Sequence, residues 1–316
     1  MRRRIGLVLS GGGARGAYQV GIVRALVELG VEISAIAGAS VGALNGAVVA
    51  SSSSLEEASG RLSEIWRIVA EDPPIDGETP TLIRLLEWAG FRFRPVVRNA
   101  GIMARGMRQN IIPIIKSPET ASLVDNSPIT KLMGEYITDE ALSAGIPLYV
   151  SVFPNRSMLE TLIGTSLALV GIKDNPKSEF LCVQSLSSRD RRRALLASSA
   201  IPFLLQSQEI GGERYVDGGL GGLQSSQGNT PVLPLLEDGC DTVIVTTLSD
   251  RTRWSKQDGG KYAGVELFEI HRCAPIGRSP VLPDVFDIIA FIPENIYSWI
   301  NQGYDDTISC LGPKFS

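Results

Sequence analysis

Ile33-Ser34-Ala35-Ile36-Ala37-Gly38-Ala39-Ser40-Val41-Gly42 is the stretch of this 316-residue chain that decides its fold. Ile33 to Ala39 is short and apolar, as a buried strand requires, and Val41 to Ala50 continues as a helix of small and apolar residues. Between them stands a Gly-x-Ser-x-Gly motif. Such a motif holds a serine on a sharp strand-to-helix turn with its hydroxyl exposed. Gly38 and Gly42 leave room for backbone to approach on either side of Ser40.

The same pattern occurs once earlier. Ile5-Gly6-Leu7-Val8-Leu9 reads as a buried strand and runs into Ser10-Gly11-Gly12-Gly13-Ala14-Arg15-Gly16. Residues 14–29 then read as a helix, with Ala17, Val20, Val23, Leu26 and Val27 along one stripe and Gly30 as its stop. Two successive β-turn-α units imply parallel strands with a right-handed crossover. A glycine-rich turn aims backbone N–H groups at an anion. Attack of a serine on an ester creates such an anion, so the two motifs together point to a serine acyl hydrolase. Only one strand precedes Ser40, whereas several precede the nucleophile of the α/β-hydrolase fold.

Gly11-x-Gly13-x-x-Gly16 also fits a dinucleotide-binding fingerprint. That fold needs an acidic ribose ligand at the end of its second strand. Here Gly38-Ala39-Ser40 occupies that place, and Glu32 lies before the strand. A plain turn without a ligand is the third reading of the loop.

Ser40 needs a base. His271 is the only histidine, and it sits on an apparent strand, Glu266 to Arg272, outside any motif. It reads as a structural or surface residue, although the order Ser-Asp-His is formally available. Asp217 is better placed. It ends the strand Arg214-Tyr215-Val216 and opens Gly218-Gly219, at a strand end where sites form.

The remaining chain is read more coarsely. Ser54 and Glu57 form a capping-box pattern for a helix to about Val69. Residues 71–126 are rich in Pro, Gly and Arg and read as an insertion or lid over the site. Ser127-Pro128 starts a helix. Leu148–Phe153 and Met158–Ile163 read as a hairpin around Pro154-Asn155-Arg156. Residues 189–199 read as a helix, Glu209–Val216 as a strand broken by a turn at Gly211-Gly212, and Thr242–Leu248 and Val265–Ile270 as strands. A helix spans about Glu294 to Cys310. With no long linker, 1–316 is expected to be a single domain.

The formal net charge of −4 gives no overall attraction to nucleic acid or anionic membrane, while leaving room for a local basic patch. Arg189 and Arg191-Arg192-Arg193 read first as a solvated helix face, with lipid phosphates as the alternative. Phe203-Leu204-Leu205 and Trp88 read first as core, with an acyl-chain pocket as the alternative. Cys182, Cys240, Cys273 and Cys310 are far apart and form no Cys-x-x-Cys pair, so reduced thiols and cytoplasmic folding are expected and a zinc site is not. Met1-Arg2-Arg3-Arg4 resembles the basic start of a signal peptide, but the apolar run after it is too short for one. No segment suits a membrane span, so membrane contact is expected to be peripheral.

The chain resembles bacterial patatin-like phospholipases. Three blocks carry the resemblance in order: Gly11-Gly12-Gly13-Ala14-Arg15-Gly16, Gly38-Ala39-Ser40-Val41-Gly42 and Asp217-Gly218-Gly219. Ala197-Ser198-Ser199-Ala200-Ile201-Pro202-Phe203 and Asn229-Thr230-Pro231 agree more weakly. The likeness spans about residues 4–250, and 251–316 matches less clearly. It implies a three-layer α-β-α sandwich with a mainly parallel central sheet, and hydrolysis of phospholipid or other fatty-acyl esters. By resemblance Ser40 is the nucleophile, Asp217 the base, and Gly11, Gly12 and Gly13 with Arg15 the oxyanion loop. No cofactor or metal is implied. The alternative class is a non-catalytic module that binds lipid or nucleotide through the glycine loop.

Overall fold

A computed structural model of the chain describes residues 3–73, 127–155, 161, 164–165, 168, 172–200, 206–248, 262, 264–270, 272–273 and 291–315. The expected insertion beyond residue 73, His271, Trp88 and Phe203-Leu204-Leu205 lie outside these residues.

β1 (Ile5–Leu9) leads through a 3-10 turn (Gly13–Gly16) into α1 (Ala17–Glu28). β2 (Ala35–Gly38) leads into α2 (Val41–Ala50) and then α3 (Leu55–Glu71). The cap of α3 follows the expected pattern in one half, the Glu57 N–H donating to Ser54 Oγ at 3.2 Å, while the Glu57 carboxylate takes the N–H of Ser53, one residue before the cap, at 2.7 Å. α4 (Ser127–Tyr136) and α5 (Asp139–Ala144) precede β3 (Leu148–Pro154) and β4 (Glu179–Cys182). α6 (Ser188–Ser198), the hairpin of β5 (Gln208–Ile210) and β6 (Glu213–Asp217), α7 (Leu233–Glu237), β7 (Thr242–Thr246), β8 (Glu266–Ile270) and α8 (Pro293–Phe315) complete the order.

The strands form one sheet in the order β5-β6-β3-β2-β1-β7-β8, with β4 paired to β3. β3, β2, β1, β7 and β8 run parallel, and β4, β5 and β6 bring the antiparallel pairings. One face of the sheet is buried under α1, α2, α3, α6 and α8, in a core that includes Leu7, Leu9, Ile36, Tyr18, Ile22, Leu62, Leu195 and Trp299. The other face, with Val8, Ala35, Ala37, Val243 and Val245, is buried against Val232 and Leu235 at α7. Central strands buried on both faces explain why β1, β2 and β7 read as continuous apolar runs rather than alternating ones. β8 and α8 belong to this same sheet and core, and the Tyr18 hydroxyl on α1 donates to Asp306 on α8 at 2.8 Å. Among the described residues no helix is long and apolar enough to cross a membrane.

One expected pairing is overturned. The expected hairpin partner of Leu148–Phe153 does not appear beside it: Thr161, the one described residue of 158–163, is helical, and among the described residues β3 pairs with β2, β4 and β6. Both edges of β3 are thereby filled by strands that arrive from far along the chain. Apolar patterning marks Leu148–Phe153 as a buried strand but cannot tell which partner takes its edge.

The register of β3 also sets the site. Val152 pairs with Glu179 of β4 and Asp217 of β6, so these two strands lie on opposite edges of β3. Val150 pairs with Leu181 of β4 and Gly38 of β2, so β2 shares its edge with β6. β2 and β6 therefore meet end to end along β3. The last residue of β2 lies opposite Val150 and the last of β6 opposite Val152, a separation of about 7 Å along the strand.

Candidate active site

Ser40 follows β2 by two residues and caps α2. Its backbone sits at φ 52°, ψ −128°, one of two non-glycine residues with positive φ among those described. That conformation is strained for a residue with a Cβ and is kept at sites that need it. It turns the chain sharply, so that α2 lies back over β1. A Cβ at Gly42 would run into the Leu9 carbonyl, which is why the second glycine of the motif is required.

Leu9 pairs with Gly38, which places the chain after β1 beside the chain after β2. The glycine loop and the serine elbow are adjacent for this reason alone. A Cβ built on Gly11 would lie 3.0 Å from the Ser40 Cβ and 2.5 Å from Asn229 Oδ1, so only glycine passes between them. The Gly11 N–H reaches the Asn229 carbonyl at 3.4 Å. Gly13 has φ 55°, and among the described residues neither the Gly12 nor the Gly13 N–H donates to a protein acceptor. Two backbone donors of the loop that passes Ser40 at Gly11 therefore have no acceptor among the described residues.

Arg15 is placed differently from these glycines. It is 1% exposed, and its Nη1 donates to the Leu248 carbonyl at 3.1 Å, beyond the end of β7. Its side chain braces the loop from within the core. A buried polar chain braces it from the other side. Ser10 Oγ donates to the Thr246 carbonyl at 2.6 Å, Gln19 Nε2 to the Ser10 carbonyl at 2.7 Å, and Asn45 Nδ2 to Gln19 Oε1 at 2.9 Å. Trp66 Nε1 completes it by donating to Asn45 Oδ1 at 3.0 Å. Buried groups satisfied in this way hold one loop conformation, because breaking any link strands a polar atom in the core.

Asp217 is 6% exposed. The Gly219 N–H donates to its carboxylate at 2.8 Å, and the Ser40 hydroxyl lies close enough to favour its charged form. Burial pushes the Asp217 pKa up to about 6, against the smaller opposing pull of the Ser40 hydroxyl and the Gly219 N–H. Among the described residues no neighbouring charge contributes to the shift.

Two residues around this pair carried only a weak signal in sequence. Ser198, at the end of α6, is fully buried, and its Oγ accepts the Ser40 N–H at 3.0 Å. Two residues on, the Ala200 carbonyl accepts the Asp217 N–H at 3.0 Å. Ser198 and Ala200 of the Ala197–Phe203 block thus hold the backbone of Ser40 and of Asp217. Asn229 stands between the glycine loop and the aspartate loop, its Oδ1 close to Gly11 and Gly219. A small-residue block and an Asn-Thr-Pro segment are compatible with many roles until the fold brings them here.

The sheet, the serine elbow and the buried aspartate together define an α/β sandwich that brings a strained serine turn and a buried carboxylate to the carboxyl ends of its strands. Residues 7–235 match the family model of patatin-like phospholipases, and the chain belongs to that family. Over 76 residues it is 42% identical to the lysophospholipase nte1 of Aspergillus terreus, covering 22% of this chain and 5% of that protein. The lysophospholipase NTE1 of Cryptococcus neoformans matches with the same identity and coverage, so the match spans about a twentieth of the length of these relatives. Among solved structures, VipD from Legionella pneumophila is similar over 99% of this chain and 67% of its own, at 16% identity and a TM-score of 0.43. The type III effector ExoU is similar over 99% and 53%, at 18% identity and a TM-score of 0.40.

Proposed function

We propose that this chain is a lipid acyl hydrolase of the phospholipase A or lysophospholipase type, with Ser40 as nucleophile and Asp217 as base. The observation that carries this reading is the strained Ser40 turn brought by the register of β3 to a buried carboxylate, with the Gly12 and Gly13 N–H groups of the adjoining loop bound to no acceptor among the described residues. A carboxylate near its usual ~3.9 is a poor base at neutral pH. Raised to about 6, Asp217 remains largely ionised at pH 7 and holds a proton more readily.

Asp217 takes the Ser40 proton as Oγ attacks the ester carbonyl. The carbonyl oxygen becomes an oxyanion, stabilised by the Gly12 and Gly13 N–H groups and by the positive amino end of α2. The tetrahedral intermediate collapses, the C–O bond to the alcohol breaks, and protonated Asp217 returns the proton to the leaving lysolipid. Water then attacks the acyl-Ser40 ester, giving its proton to Asp217, and fatty acid leaves. Ser198 acts through position: by taking the Ser40 N–H it holds the strained elbow in register with Asp217.

The reading is tested by turnover of a chromogenic fatty-acyl ester together with covalent labelling by a fluorophosphonate. Hydrolysis and labelling confined to Ser40 support it. Neither activity, with stoichiometric binding of lipid or nucleotide, supports a binding module instead. Turnover should rise with pH on a limb centred near pH 6, because only ionised Asp217 accepts the proton. Ser198→Ala should lower kcat about tenfold and leave KM nearly unchanged, with Ser198→Thr restoring part of the loss. Equal falls in kcat and in thermal stability for both variants would give Ser198 a packing role only.

A further inference from the structure

Between α4, α5 and the amino-terminal half of α6 lies a groove of about 540 Å³. Met133, Ile137 and Leu195 line its floor, and Arg189, Arg191, Arg192 and Arg193 stand along its wall. Two of these arginines serve the fold. Arg191 pairs with Asp139 on α5 at 2.9 Å, and Arg193 donates to the Glu209 carbonyl at 2.9 Å.

Arg189 and Arg192 do neither. Both are exposed, and among the described residues neither makes a hydrogen bond or an ion pair. They stand three residues apart, and so side by side on one helix face. Clustered cations at the amino end of a helix oppose its dipole and repel one another. Folding therefore does not account for them, and neither does general basicity in a chain of net charge −4.

We propose that this groove docks the phosphate headgroup of an anionic phospholipid in a bilayer surface. Two adjacent guanidinium groups offer paired donors to one phosphate, and the apolar floor beside them accepts the first carbons of the lipid. The site has a defined relation to the chemistry. Arg189 and Ser198 lie on the same helix, about 14 Å apart along its axis, and Ser198 holds the Ser40 N–H. A membrane docked at one end of α6 is held close to the nucleophile at the other. The inference rests on the lipid-hydrolase reading only in taking a bilayer as the source of the phosphate.

Co-sedimentation with phosphatidylcholine vesicles, with and without about 30 mol% phosphatidylglycerol, tests it. The full chain should prefer the anionic vesicles. Arg189→Gln with Arg192→Gln should weaken that partitioning roughly 30-fold. Lys173→Gln with Lys177→Gln removes the same charge elsewhere and should leave it within about twofold. Equal binding to both vesicle types by the unmodified chain would overturn the proposal without any variant. So would equal losses in the two double variants, which would mean bulk electrostatics. Protection from thermal unfolding by inorganic phosphate, lost in the arginine variant and without vesicle binding, would assign the groove to a free anion instead. Turnover of a soluble ester is measured in parallel. Vesicle binding without turnover sinks the hydrolase reading and leaves the docking site standing.

Discussion

Ser40→Ala is expected to lower ester turnover about 10⁵-fold, since nothing else at the elbow can form the acyl intermediate. KM for a soluble ester should stay nearly constant, because the hydroxyl acts on the transition state rather than on substrate binding. Stability should also be nearly unchanged, as Ala keeps the Cβ and with it the strain at φ 52°. Ser40→Gly separates these effects. It is equally inactive, yet relieves the strained backbone and should raise stability by about 1 kcal/mol. Fluorophosphonate labelling followed by peptide mapping, with thermal denaturation of both variants, provides the check. Turnover within tenfold of the unmodified chain in Ser40→Ala would remove Ser40 from the mechanism.

Asp217→Asn should lower turnover about 10⁴-fold and make the protein more stable above pH 6. The sign follows from the burial. Asp217 has its pKa raised to about 6 in the folded state, against ~3.9 unfolded, so between these values the folded chain binds more protons than the unfolded one. Stability contributed by the protonated carboxyl is therefore present below about pH 4 and is lost as pH rises through 6. Asn keeps an acceptor for the Gly219 N–H and carries no charge to bury. At pH 8 it should gain on the order of 2 kcal/mol, a shift of several degrees in Tm, and at pH 4 almost nothing. His271→Ala should keep turnover within a few-fold. A loss there as deep as in Asp217→Asn, with the fold intact, would replace the dyad with a triad.

Much of this was legible in the residues because it is local. β1 and α2 fall where the apolar runs and glycines put them, and Ser54 caps α3 as its side chain requires. Gly-x-Ser-x-Gly is legible because the turn itself demands small residues at fixed offsets. The partners of β3 were not legible. Apolar patterning says that a strand is buried but not which strand lies beside it, and the expected hairpin with Met158–Ile163 fell to strands from far along the chain.

Residue types and spacing alone determined the two β-turn-α units, the elbow at Ser40, the open loop at Gly11 to Gly13 and the strand end at Asp217, since each rests on neighbours within a few positions. Only the tertiary structure decided that β2 and β6 meet end to end along β3, which brings Ser40 to an aspartate 177 positions away. It alone turned Arg15 into the core, put Ser198 under the elbow and left Arg189 and Arg192 without an ion pair among the described residues beside a groove. The physical reason is that strand register and burial depend on the whole core at once. A carboxylate's basicity follows from its burial, and no local pattern in a chain records how much water its folding will remove.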